Sequence, residues 1–121
     1  MFVKLRRSFF FAIAGIMYAL KSQRNMKIHF LALLFVTVAG IWLGLSPLEW
    51  SIIIMMAGLV LIMELLNTSM EALVDLKTQE YHQLAKTAKD VAAGAVLIAS
   101  VVSVIVGMLI LGPKILMRLW G

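Results

Sequence analysis

The chain has 121 residues, is 63% hydrophobic, lacks cysteine and carries a formal charge of +5; its mean hydropathy is +1.02. A soluble domain is about 45–50% apolar, so an ordinary soluble globule is excluded, and the missing cysteines exclude disulfides, thiolate metal sites and cysteine nucleophiles. The positive residues flank hydrophobic runs instead of gathering into one basic face, which argues for topology signals and headgroup contacts over nucleic acid.

The first element is "VKLRRSFFFAIAGIMYALKSQRN". A basic start before a short apolar core has the outline of a signal peptide. Phe9–Leu20 is too short to span, is bounded by basic residues, and has no clear cleavage site after it. The stretch therefore reads as an amphipathic helix over 3–25, lying in the cytoplasmic interface.

Three candidate spans follow, at about 28–45, 50–75 and 91–111, each near the roughly 20 apolar residues a bilayer requires. Lys4, Arg6, Arg7, Lys21, Arg24 and Lys27 precede the first span, none lies in the "SPLE" turn, and Lys77, Lys86 and Lys89 lie between the second and third. The positive-inside rule then puts the N-terminus and the second loop in the cytoplasm, against a weaker opposing signal from Lys114 and Arg118. Trp42, Trp50 and Trp120 fall where interfacial aromatics are expected. Small residues recur at Ala95, Ala99, Ser103 and Gly107 in the third span and at Gly40 and Gly44 in the first. Such ridges let backbones approach, either within the chain or between subunits, and three spans are few to shield buried charge, which favours an oligomer.

The second span does not end where its apolar run ends. "WSIIIMMAGLVLIM" continues without a loop signal into "ELLNTSMEALVD". With Glu64 at zero and about 100° per residue, Asn67, Glu71, Asp75 and Thr68 fall at about −60°, −20°, +20° and +40°. These four side chains share one stripe with Glu64, while Leu65, Met70 and Leu73 lie opposite. Glu64 is about 21 Å along the helix from Trp50, and Glu71 about 10 Å further on. A carboxylate at the centre of a span costs about 2.5–3.5 kcal/mol even on the lenient insertion scale, so it marks a functional interior more often than a structural clamp.

A second polar group, "YHQLAKTAKD", leads into the third span and comes to the same membrane face as Glu71 and Asp75. Lys89 and Asp90 at its mouth have a bland reading as a solvated helix end. Carboxylates, an amide and a lysine near one interface also suit a Mg²⁺–phosphate complex. No P-loop and no soluble-kinase motif occurs, and two histidines, His29 and His82, are too few for a zinc site; His82 reads as a helix-end group. On the residues alone, a lipid-directed enzyme and a proton-coupled transporter both remain open, although no repeats or broken helices typical of transporters are visible.

"RSFFFAIAGI … RNMKIH", "ELLNTSMEALVD" and "AKTAKDVAAGAVL", in this order and spacing, closely resemble the prokaryotic diacylglycerol kinase family of membrane lipid kinases, from about Arg7 to Pro113. "AKDVAAGAVL" and "RNMKIH" look like its Gram-positive branch, chiefly undecaprenol kinases. The resemblance implies a homotrimer of one membrane-embedded domain per chain (residues 1–121) in the bacterial plasma membrane, with sites shared between neighbours. It implies MgATP as phosphate donor and a lipid alcohol as acceptor: undecaprenol first, diacylglycerol as the alternative. It implies Glu64 as the base for the lipid hydroxyl, Asn67 near the phosphates and Glu71 as a metal ligand. Lys89 and Asp90 match its nucleotide-binding pair, Glu80, Tyr81 and His82 fall where it contacts ATP, and Lys4 and Arg7 where basic residues approach nucleotide or headgroups. Gln23 departs from the pattern: the family usually has a glutamate there, paired with the Glu71 position to hold the metal. An amide oxygen without the charge should weaken metal binding.

Overall fold

The structure, a computed structural model, describes residues 1–121 as four helices and no strand: α1 (Phe2–Ser22), α2 (Arg24–Leu43), α3 (Pro47–Lys77) and α4 (Gln83–Trp120). The last three are long and apolar enough to cross a membrane. At about 1.5 Å per residue, α3 is about 46 Å long and α4 about 57 Å, against roughly 30 Å of hydrocarbon. Both therefore carry polar ends past the apolar layer.

Each junction has a local cause. α1 stops at Ser22 because Gln23 is extended (φ −106°, ψ 119°); this one residue ends the N-terminal helix three residues short of the expected 25 and starts α2. α2 ends on Gly44 in the left-handed region (φ 69°, ψ 57°), whose N–H returns to the Gly40 carbonyl, a conformation that favours glycine. α3 opens with a capping box. Ser46 Oγ accepts from the Glu49 N–H at 3.2 Å, and Glu49 Oε2 accepts from the Ser46 N–H at 2.8 Å, while Pro47 sits where its missing donor is harmless. The start of α4 is capped by His82, whose Nδ1 accepts from the Leu84 N–H at 3.2 Å. α4 then runs through Pro113 unbroken.

α3 and α4 form the main antiparallel pair, with α2 against both and α1 against α2 and α3. Lys114 Nζ lies 3.2 Å from Glu49 Oε2, tying the late part of α4 to the start of α3. Gly40 lets α2 and α3 meet: a Cβ there would stand 2.6 Å from the Trp50 ring. Ala99 is buried, and Ser103 and Gly107 line a cavity between α2, α3 and α4. That part of the small-residue ridge serves packing within the chain.

Only 11 residues are buried, and large side chains such as Ile41 and Leu109 (both 71% exposed) point outward. Three of the buried residues are polar: Glu64, Asn67 and Thr68. Apolar outside and polar inside suits hydrocarbon as the solvent. This is a membrane protein.

Candidate active site

The polar stripe of α3 passes from a dry interior to open water within three turns. Glu64 is fully buried, Asn67 is 6% exposed, Glu71 is half-buried and Asp75 exposed. Each has a different kind of partner.

Glu64 faces α2, where His29 Nε2 is 3.6 Å from its Oε2. Neither carboxylate oxygen has a hydrogen-bond donor, and Thr68 spends its hydroxyl on the Glu64 backbone carbonyl at 2.8 Å. A buried carboxyl with both oxygens unpaired is costly. Beneath His29, a cavity of about 140 Å³ runs between α2, α3 and α4, walled by Leu33, Val36, Ile53, Met56, Val60 and Val104 among others.

Glu71 gathers the amides. Gln23 Nε2 donates to its Oε2 and Asn67 Nδ2 to its Oε1, each at 3.2 Å. The extended backbone at Gln23 thus has a consequence: the break between α1 and α2 aims this side chain across at α3. Asn67 Oδ1 is buried and unpartnered. No group of three or more carboxylate or imidazole ligands occurs. Mg²⁺ commonly binds through only one or two carboxylates plus phosphate oxygens and water. Glu71, the orphaned Asn67 oxygen and the Gln23 amide fit such a phosphate-borne ion, though not a self-sufficient metal cage.

Beyond Glu71 lies a polar cleft of about 630 Å³, lined by Glu80, Tyr81, His82, Lys89, Asp90 and neighbours. Lys89 and Asp90 both line the cleft but are paired with other residues. Lys89 Nζ reaches across to Asp75 Oδ1 at 2.5 Å, while Asp90 Oδ2 holds Lys86, also at 2.5 Å. One helical turn separates Lys86 from Asp90 and aligns them, whereas adjacent residues diverge by about 100°. Outside the spanning segments, the Asp75 carboxylate beside Lys89 holds that ammonium above the usual lysine range. Tyr81 donates its hydroxyl to Gln83 at 2.7 Å. Lys4 and Arg7 are exposed on α1 and do not line this cleft.

A family model described as prokaryotic diacylglycerol kinase matches residues 10–111, which include Gln23, the whole α3 stripe and the cleft. The chain belongs to this family. An undecaprenol kinase of Bacillus subtilis is 44% identical over 90% of this chain and 89% of its own length. A diacylglycerol kinase of Synechocystis is 46% identical over 90% of this chain and 63% of its own length. One of Escherichia coli is 33% identical over 86% and 85%.

In this diacylglycerol kinase family chain, sequence reasoning passed over His29 by testing it only as a zinc ligand. A signal was present, since an ionisable residue in an apolar span marks function by default. Helical periodicity places Asp75 on the stripe, but its pairing with Lys89 depends on how α4 packs against α3.

Proposed function

We propose that the protein transfers the γ-phosphate of ATP to the hydroxyl of a membrane lipid alcohol, undecaprenol in preference, making undecaprenyl phosphate. The observation that carries this reading is Glu64: buried to 0% exposure with both oxygens unpaired, it lies in a helix long and apolar enough to cross a membrane, three turns from Asp75, which lines the polar cleft. One helix stripe thus joins an apolar compartment to a polar one, as a reaction between a lipid and a nucleotide demands. A proton-coupled transporter has no comparable support.

In this reading the nucleotide lies in the cleft, with phosphate oxygens drawn to Lys89, which would exchange its exposed Asp75 partner for them. Glu80, Tyr81, His82 and Asp90 border the rest of the nucleotide. Glu71, Asn67 and Gln23 would hold the Mg²⁺ that accompanies the phosphates; when bound, the ion neutralises charge on them. The lipid alcohol enters laterally and brings its hydroxyl to Glu64. Glu64 takes the hydroxyl proton as the oxygen bonds to the γ-phosphorus, and the bond to the β–γ bridging oxygen breaks in line, releasing ADP. Positioning and the exclusion of water from Glu64 supply most of what such a transfer needs from the protein.

The assembly we infer is a homotrimer in the bacterial plasma membrane, N-terminus and cleft toward the cytoplasm, on the Lys and Arg distribution. Lys4 and Arg7, which do not line the cleft of their own chain, would then serve the site of a neighbour. Diacylglycerol is the second reading, favoured by the names of the Synechocystis and Escherichia coli relatives. Offering each lipid separately with labelled ATP and Mg²⁺ in mixed micelles tests the choice. Preferential label in undecaprenyl phosphate is expected; label chiefly in phosphatidic acid would install the second reading.

A further inference from the structure

The polar side chains around Glu64 direct their hydrogen bonds elsewhere, with one exception. Thr68 donates to the Glu64 backbone carbonyl; Asn67 and Gln23 each donate an amide N–H to Glu71. The exception is His29. Its Nε2 is buried, has no hydrogen-bond partner, and lies 3.6 Å from Glu64 Oε2. The same ring forms part of the wall of the 140 Å³ apolar cavity. It therefore stands between the carboxylate and the space from which an apolar substrate would come.

From this geometry we propose that His29 is the positioning residue for Glu64. Its Nε2–H donates to Oε2, fixes the carboxylate rotamer, and leaves Oε1 to face the substrate hydroxyl. The proposal rests on the reading of Glu64 as the base and adds to it the group that aims it. A glutamate has three side-chain torsions, and no other hydrogen bond in the structure orients this carboxylate. An unaimed base loses much of the advantage of proximity, since misplacement by about 1 Å can cost roughly a hundredfold. A contact slightly longer than a hydrogen bond suits a site before substrate arrives, because catalytic hydrogen bonds often tighten only in the complex. The proton balance is simple: the substrate proton goes to Oε1, and His29 keeps its own.

The test uses His29→Gln and His29→Met in the full-length protein, in micelles with lipid and MgATP. The two replacements are similar in length, but only glutamine carries an N–H, on the atom that stands in for imidazole Nε2. His29→Met is expected to lower kcat about ten- to a hundredfold with the KM for ATP and the thermal midpoint unchanged. His29→Gln is expected to recover most of the loss. Wild-type kcat in His29→Met would overturn the proposal, and so would equal losses in the two variants. Glu64→Gln is assayed beside them to separate the failures. If it retains turnover, the base assignment itself falls; if it is inactive while His29→Met is fully active, only the role of His29 falls.

Discussion

Glu64 and Glu71 sit two turns apart on one helix, yet their surroundings give them different work. Glu64 has no donor on either oxygen, whereas Glu71 accepts an amide N–H on each. Glu64→Gln should therefore lose about 10²–10⁴ in turnover, the usual worth of a general base, with nucleotide affinity intact. Glu71→Gln should instead weaken Mg²⁺-dependent nucleotide binding, measurable by titrating ATP with and without the metal. Equal loss of nucleotide binding in both variants would contradict this division. Gln23→Glu makes a complementary case. It sets a second carboxylate 3.2 Å from Glu71, so like charge should disfavour the metal-free site and reward a cation. The Mg²⁺ concentration for half-maximal activity should fall; an unchanged value would remove Gln23 from the metal site. The α3 stripe was legible because helical periodicity needs only local sequence. The approach of His29 to Glu64 was not, because it depends on how α2 crosses α3, and no spacing rule links positions 29 and 64.

At the scale of elements, helix ends follow from their residues more closely than helix pairing does. Ser46, Pro47 and Glu49 announce the start of α3 and Gly44 the end of α2. The stop at Gln23 has no such marker, which is why the N-terminal helix was expected to run on to 25. The close approach at Gly40 gives a stability test. In Gly40→Ala the new methyl would meet the Trp50 ring at 2.6 Å and the Leu45 side chain at 2.9 Å. Overpacking of this kind costs about 1–3 kcal/mol, so the thermal midpoint in detergent should fall; an unchanged midpoint would mean that the α2–α3 contact is loose. The Lys89–Asp75 bridge between α3 and α4 is different, being 39% and 60% exposed. Exposed pairs contribute little to stability, so Lys89→Met should leave the midpoint unchanged while weakening ATP binding. Because the folded state raises the Lys89 pKa, whatever the bridge adds is fully present below the ordinary lysine value of about 10.4 and is lost only as pH rises through the raised folded value. Stability between pH 6 and 9 should accordingly be insensitive to this pair.

For the whole molecule, the inverted distribution of polarity was visible in composition, and membrane spans followed from it. Assembly was only suggested, by the few spans available to shield buried charge, because the outward faces of the spans are largely apolar and lipid and a second copy ask the same of them. That Lys4 and Arg7 do not line the cleft of their own chain is what a shared site would produce. If sites are shared in a homotrimer, mixing an inactive Arg7→Ala protein with an inactive Glu64→Gln protein should restore part of the activity, since some interfaces then combine two intact halves. Mixtures no more active than their components would place each site within a single chain.

The central claim is that a buried glutamate at hydrocarbon depth serves phosphate transfer from nucleotide to lipid. The most direct measurement follows the label of γ-phosphate-labelled ATP into lipid, in micelles containing undecaprenol or diacylglycerol, for the wild-type chain and for Glu64→Gln. Label should appear in the phosphorylated lipid, more with undecaprenol, and should vanish in Glu64→Gln while ATP still binds. Absence of label from both lipids in the wild type, or equal labelling by the variant, would contradict the account.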